Sequence, residues 1–365
     1  MMDIREYVGE KYHFRRSLIM KIAVIACANG LGHIRRVVGI SSFMFKNGFS
    51  GSLTAFLPIE HLDYFTDWSE CQYFRNHPNI EVIDFHYPES GEKKSDSLID
   101  KKWFNISLPA LDDFDIVWSD NVTQVLASRP DSILTGSFLW YDIFAKHEKN
   151  DLVKDFIQDQ RELTRSVKPV MIGCDYFATP EVRNFTRFQP VGLYRYEISM
   201  REKKKKDILL SCGLGGEEED QVEEAINHII KEEIVPPETL WIEPRFFPSN
   251  GPKWIKRANF SHKMFSKCVA VCVRPGIGTL SDALCNRTRI FAFHSNAIFE
   301  MLHNSQILDK MGLGEYCDNP HDAYIRAIKF AHNNHYIDKQ VYFTSHLRMD
   351  GIFATAQLIS GSISV

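Results

Sequence analysis

Short apolar runs alternate with amphipathic stretches along most of the chain, the pattern of βα units and a mostly parallel sheet. In the first half the runs predict strands at 21–27, 52–57, 80–85, 115–119, 132–136 and 169–173. Between the first two, Ile34, Val37, Val38, Ser41, Met44 and Phe45 recur at helical spacing, and Asn47-Gly48 supplies a stop. The alternation starts afresh after a break. Strand Ile208–Cys212, helix Gln221–Glu232 and strands Thr239–Glu243 and Trp254–Arg257 come first. Helix Ser261–Lys267, strand Val269–Val273, helix Thr279–Cys285 and strand Ile290–Phe293 follow. Helices at about 320–333 and 341–358 close the chain, the last expected to pack back on the first half.

The break lies between Gln189-Pro190-Val191-Gly192 and the run Lys203–Lys206. It divides the chain into an appendage (1–19), a first domain (20–192), a linker (193–206), a second domain (207–340) and a terminal segment (341–365). Four lysines suit a solvated linker; weak attraction to an anionic membrane surface is the other reading. At 365 residues, each domain is long enough to bury a core of its own.

Composition changes this picture little. Apolar residues make up 44%, charged residues 25%, and the net charge of −4 gives no field suited to nucleic acid. The eight cysteines form no CxxC pair, and most sit inside apolar runs, which fits free thiols in a reducing, cytoplasmic setting. Arg15 to Ala28 has the basic flank and apolar run of a leader, but Lys21 interrupts it and the run feeds straight into Gly30-Leu31-Gly32-His33. A first strand is the better reading. No apolar run reaches the ~18 residues a membrane helix needs.

In an open parallel sheet, ligands bind beyond the carboxyl ends of the strands, and that rule selects a few loops. The most informative is Arg274-Pro275-Gly276-Ile277-Gly278-Thr279-Leu280-Ser281-Asp282, where a buried-type strand turns on glycines directly into a helix. Glycines let a ligand approach the backbone, the helix N-terminus attracts a diphosphate, and Arg274 adds charge. Asp282, one turn in, suits ribose hydroxyls. The loop at Gly213 is a poorer cradle, because Glu217 to Asp220 already satisfy the helix dipole, though Gly213 can border the cleft. Glycine in a tight βα turn is also an ordinary structural need.

In the first domain Gly30, Gly32 and His33 occupy the corresponding turn, where a neutral imidazole at a helix N-terminus can act as a base. Asp120 ends one strand; Ser137 and Tyr141 follow another and suit an acceptor, with core packing the alternative for Tyr141 and Trp140. Asp113 and Asp115 spell a potential cation pair, but they precede a strand and fall at the wrong end of the sheet. No metal site and no cofactor is expected.

These residues resemble the GT-B glycosyltransferases, in which two Rossmann-like α/β domains face each other across a cleft. The nearest likeness is to the branch containing the peptidoglycan N-acetylglucosaminyltransferase of lipid II synthesis. That resemblance implies a UDP-sugar donor held by Gly276, Gly278 and Thr279, with Asp282, where that branch has Glu, on the ribose. It also places Asn296, Glu300 and Asn304 toward the sugar, by a looser match. His33 with Asp120 resembles the histidine–aspartate pair of plant GT-B enzymes. The implied function is metal-independent transfer of a sugar to an unknown acceptor: a saccharide, lipid-linked sugar or small molecule. Gly32-His33-Ile34-Arg35-Arg36 is also similar to the UDP-sugar hydrolase of pseudaminic acid synthesis, and a non-catalytic partner of this fold is the third reading.

Overall fold

The computed structural model describes residues 19–27, 31–85, 107–147, 151–195, 206–213, 218–294 and 299–361. The first sheet contains β1 (Lys21–Ala26), β2 (Ser52–Leu57), β3 (Ile80–Asp84), β4 (Ile116–Asp120), β5 (Ile133–Thr135), β6 (Val170–Cys174) and β7 (Arg187–Val191). The second contains β8 (Asp207–Ser211), β9 (Leu240–Ile242), β10 (Ile255–Arg257), β11 (Cys268–Val273), β12 (Arg289–Ala292) and β13 (Gly314–Tyr316). The helices in chain order begin with α1 (Leu31–Lys46), α2 (Ile59–Leu62), α3 (Ser69–Asn76), α4 (Trp140–His147), α5 (Asp151–Val167) and α6 (Pro180–Phe185). They continue with α7 (Glu219–Lys231), α8 (His262–Lys267), α9 (Ile277–Cys285), α10 (Phe299–Lys310), α11 (Pro320–Ala331), α12 (Asn334–Ser345) and α13 (Gly351–Ser360).

The strand order is β3-β2-β1-β4-β5-β6-β7 in one sheet and β10-β9-β8-β11-β12-β13 in the other, with every pairing parallel. Both are doubly wound sheets whose order reverses between the first and fourth strands. That reversal opens a crevice beyond β1 and β4 in one domain and beyond β8 and β11 in the other. The central strands β4, β8 and β11 are buried along their whole length, as expected of strands covered on both faces.

Helix α1 is buried nearly all round, because it lies between its own sheet, α9 of the second domain and the returning α13. Ile34, Leu280 and Ile352, from these three helices, belong to one contiguous apolar cluster that spans both domains. Where the chain returns, Leu193 N–H donates to Arg348 O (2.8 Å) and Gly351 N–H donates to Leu193 O (3.0 Å). The fit is tight: a Cβ on Gly192 would come within 2.5 Å of Arg348 O, and one on Gly351 within 2.6 Å of Gly192 O.

Three boundaries differ from the sequence reading. The stretch read as one helix, 341–358, is the end of α12 and most of α13, broken at His346–Asp350 by that docking. Gln189–Val191, read as the approach to a linker, is strand: β7 is an edge strand, where Pro190 leaves no ladder bond missing. Helix α1 starts at Leu31, three residues earlier than its apolar spacing suggested, which puts His33 within its first turn. In the linker, Leu193 and Tyr194 are buried, whereas Lys203, Lys204 and Lys205 lie outside the described residues.

Candidate active site

The crevices of the two sheets meet at the starts of α1 and α9. Gly276 caps α9 with extended φ/ψ (−72°, 140°) and without a side-chain cap hydrogen bond among the described residues. Along the turn Arg274, Gly276, Gly278 and Thr279 are partly exposed, while Ile277, Leu280 and Asp282 are buried. The exposed set therefore lines one side of the turn. A Cβ on Gly278 would lie 3.5 Å from Gly32 Cα, so the two glycine turns touch across the domain boundary. Asn304 of α10 donates from Nδ2 to Pro275 O (2.8 Å), bracing the turn from behind.

On the first domain His33 Nδ1 lies 2.6 Å from Asp120 Oδ1, although 87 positions separate the two residues. Asp120 is the last residue of β4, paired in register with Ala26 of β1, so the sheet itself brings it beside the first turn of α1. Arg36, one helical turn beyond His33, donates from Nε to Asp120 Oδ2 (2.6 Å) and from Nη2 to Oδ1 (2.8 Å). Thr135 of β5 donates to Oδ2 (2.7 Å), and Trp118 Nε1 donates to Thr135 Oγ1 (2.8 Å). Asp120 has no solvent exposure. Burial would raise its pKa, but the Arg36 charge and the hydrogen bonds from Arg36 and His33 overcome it and hold the group at about 2. Phe138 and Trp140 flank the imidazole at ring-centroid distances of 6.4 and 6.5 Å.

A second buried pair ties the domains together. Arg35 Nη1 donates to Asp282 Oδ2 across 247 positions, with the guanidinium 4.8 Å above the Trp68 ring. Asp282 is fully buried. Desolvation outweighs the attraction of Arg35 and pushes its pKa up to about 7. Asp282, expected to accept hydrogen bonds from ribose hydroxyls, is in this structure buried and engaged by Arg35. Between the unfolded value near 3.8 and about 7, the folded chain holds a proton that the unfolded chain releases. The stability tied to Asp282 is thus fully present at low pH and lost as pH rises through 7. We expect Asp282→Asn to reduce the loss of stability between pH 5 and pH 8, read as a smaller change in urea midpoint than wild type shows.

Gly213 has φ +69°; its N–H, with Cys212 N–H and Ser211 Oγ, donates to Glu243 Oε2 at 3.0, 2.9 and 2.9 Å. The β8 loop is thus held by a carboxylate from β9's end, and Arg245 bridges Glu243 (3.4 Å) and Glu219 (2.7 Å). Glu300, at the start of α10, is partly exposed, yet its carboxyl is pushed up to about 7 by desolvation against the fields of Arg274 and Arg36. Ser137 is buried beside the site's floor, its carbonyl accepting from Thr179 N–H (2.8 Å). Tyr141 departs from the expected acceptor role: its ring is fully buried in the cluster with Leu139, Phe144 and Ile157. One residue back on α4, about 100° round the helix, Trp140 faces His33 instead. Gly30 and Asn296 lie outside the described residues. Asp115 Oδ2 accepts from Lys21 N–H (2.9 Å), at the amino end of the sheet and away from the crevice. Among the described residues no group of three His, Cys, Asp or Glu is placed to hold a metal ion, and no helix is long and apolar enough to cross a membrane.

No family model and no curated protein matches the chain in sequence. Solved structures do match it in shape. The glycotransferase of kitacinnamycin aligns with a TM-score of 0.63 at 11% identity, covering 95% of this chain and 100% of that one. A UDP-glucose:anthocyanidin 3-O-glucosyltransferase in complex with UDP aligns at 0.61 and 9% identity, with 95% and 100% covered. The glycosyltransferase SnogD from Streptomyces nogalater aligns at 0.59 and 13%, with 94% and 100% covered. The chain has the GT-B fold.

Proposed function

We propose that this protein is a glycosyltransferase that moves a sugar from a nucleoside diphosphate donor, UDP-linked in the first instance, to an acceptor hydroxyl without a metal ion. One observation carries the reading: a histidine–aspartate pair at the switch point of one sheet stands next to Gly32, which closely approaches the glycine-lined start of α9 at the switch point of the other. The diphosphate is assigned to the N-terminus of α9 and to Arg274, with Gly276, Gly278 and Thr279 beside it. The acceptor is assigned to the side of His33, Phe138 and Trp140. In the reaction the acceptor O–H loses its proton to His33 Nε2, the oxygen bonds to the anomeric carbon, and the sugar–oxygen bond to the diphosphate breaks. The nucleoside diphosphate leaves with the bonding pair, stabilised by the helix N-terminus and Arg274 where other enzymes use a cation. Uridine as the base is favoured by the likeness of the late glycine turn to the lipid II branch; the structural neighbours include complexes with UDP and with thymidine diphosphate alike.

The test is a thermal-shift panel of nucleoside diphosphates in EDTA, followed by UDP release with and without an acceptor library. At 100 times its dissociation constant, a ligand stabilises by about 2.7 kcal/mol. Binding that needs manganese or magnesium would remove the metal-free reading, and brisk UDP release in water alone would make the protein a hydrolase. Gly276→Val gives a sharper check. A Cβ there meets nothing within 4 Å among the described residues and projects where the diphosphate would sit. Losing one or two charge-assisted hydrogen bonds should raise the donor's KM by about 10–100-fold, with a smaller effect on kcat.

A further inference from the structure

The carboxylate of Asp120 is saturated. Oδ1 is within hydrogen-bond distance of His33 Nδ1 and Arg36 Nη2, and Oδ2 accepts from Arg36 Nε and Thr135 Oγ1. Arg36 is itself buried, at 6% exposure, on the same face of α1 as His33. This is a three-residue unit. A buried Asp⁻ with a neutral imidazole carries one uncompensated negative charge, which is relieved by protonating the imidazole before any substrate arrives. With Arg36 added, the unit with an unprotonated imidazole carries no net charge, and a proton on the imidazole would take it to +1.

We propose that Arg36 is a positioning residue of the His33–Asp120 unit: it balances the aspartate's charge, so that the imidazole stays unprotonated until it receives the acceptor's proton, and clamps the carboxylate with Oδ1 toward Nδ1. The proposal rests on His33 being the base. Several groups face the unit. Asp120 comes from β4, the Tyr194 ring lies 5.5 Å from the Arg36 guanidinium, and Cys174 of β6 and Glu300 of α10 also feel its charge. Burial pushes Cys174 and Tyr194 up to about 12, so both stay neutral across the working range. Glu300, at about 7, does not. The test is therefore made in a Glu300→Gln background, compared only with itself.

The experiment is an NMR titration from pH 5 to 9 of the full chain labelled at the histidine rings, with the His33 signal assigned by its loss in His33→Gln. In Arg36→Gln the His33 midpoint should move upward by about one pH unit or more, and Arg36→Lys should land between that and the parent. Arg36→Gln/Asp120→Asn removes both charges together, so it can fold even if the single variant does not. Its midpoint should lie within about half a unit of the parent. An unmoved midpoint in folded Arg36→Gln overturns the proposal. So does a fall of about a unit or more in the double variant, because that would mean Asp120 acts on the imidazole uncompensated. The titration needs no substrate. If His33 proved dispensable for turnover, the catalytic reading would fail while the charge balance was measured on its own terms.

Discussion

Alanine at position 33 is expected to lower turnover by roughly 10²–10⁴-fold while UDP affinity stays within about twofold of wild type. The acceptor hydroxyl must shed a proton as its oxygen attacks. His33 stands in the first turn of α1, next to Gly32 at the domain boundary, with Nδ1 committed to Asp120 and Nε2 as its remaining nitrogen. The donor is assigned to the other domain, so losing the imidazole should leave its contacts intact. The loss should fall on kcat, and on kcat/KM for the acceptor, far more than on the donor's KM. His33→Gln provides the control for packing, since it fills much of the space against Phe138 and Trp140 without a base. Initial rates at saturating donor, with UDP affinity from calorimetry, decide the matter. A loss under tenfold would assign the proton to another group, Glu300 first among them.

What was legible in the sequence follows from what local physics demands. A buried parallel strand must be a near-continuous apolar run, and a strand that turns at once into a helix wants glycine; both signals survive without any tertiary information. The rule that ligands gather beyond the carboxyl ends of strands then reached Asp120 and the Arg274–Asp282 turn. Arg36 was missed, yet a cue existed. Within α1, Leu31 to Phe45 carries no charged residues but Arg35 and Arg36, and two arginines in so apolar a helix need acidic partners when it is buried. Their partners lie 247 and 84 positions away, a distance that periodicity cannot bridge. Asp282 looked like a ribose ligand because nothing local reveals that Arg35 reaches it. Tyr141 and Trp140 are neighbours in sequence, and a helix start that is uncertain by one residue exchanges which faces the crevice. The short edge strands β7 and β13, which contain Pro190 and Gly314, have no apolar run to announce them.

The second large effect concerns stability. Asp120→Ala should cost about 3–5 kcal/mol, because it removes a buried carboxylate that takes two hydrogen bonds from Arg36 at a position with no solvent access. Thr135 and His33 would lose their acceptor as well. Asp120→Asn should cost nearly as much, since an amide keeps the shape but brings no charge to Arg36. Adding Arg36→Gln should recover a good part of the loss, a coupling that a double-mutant cycle in urea reads directly. The sign with pH is fixed by the lowered pKa. With the folded group at about 2 and the unfolded one near 3.8, Asp120 stabilises fully above about pH 4, and that contribution is lost as pH falls through about 2. The gap between wild type and Asp120→Asn should therefore be widest at neutral pH and close in strong acid. A cost below about 1 kcal/mol at pH 7 would mean that Arg36 swings out to water when its partner is removed, and the site would then be too pliable to hold the imidazole in one orientation.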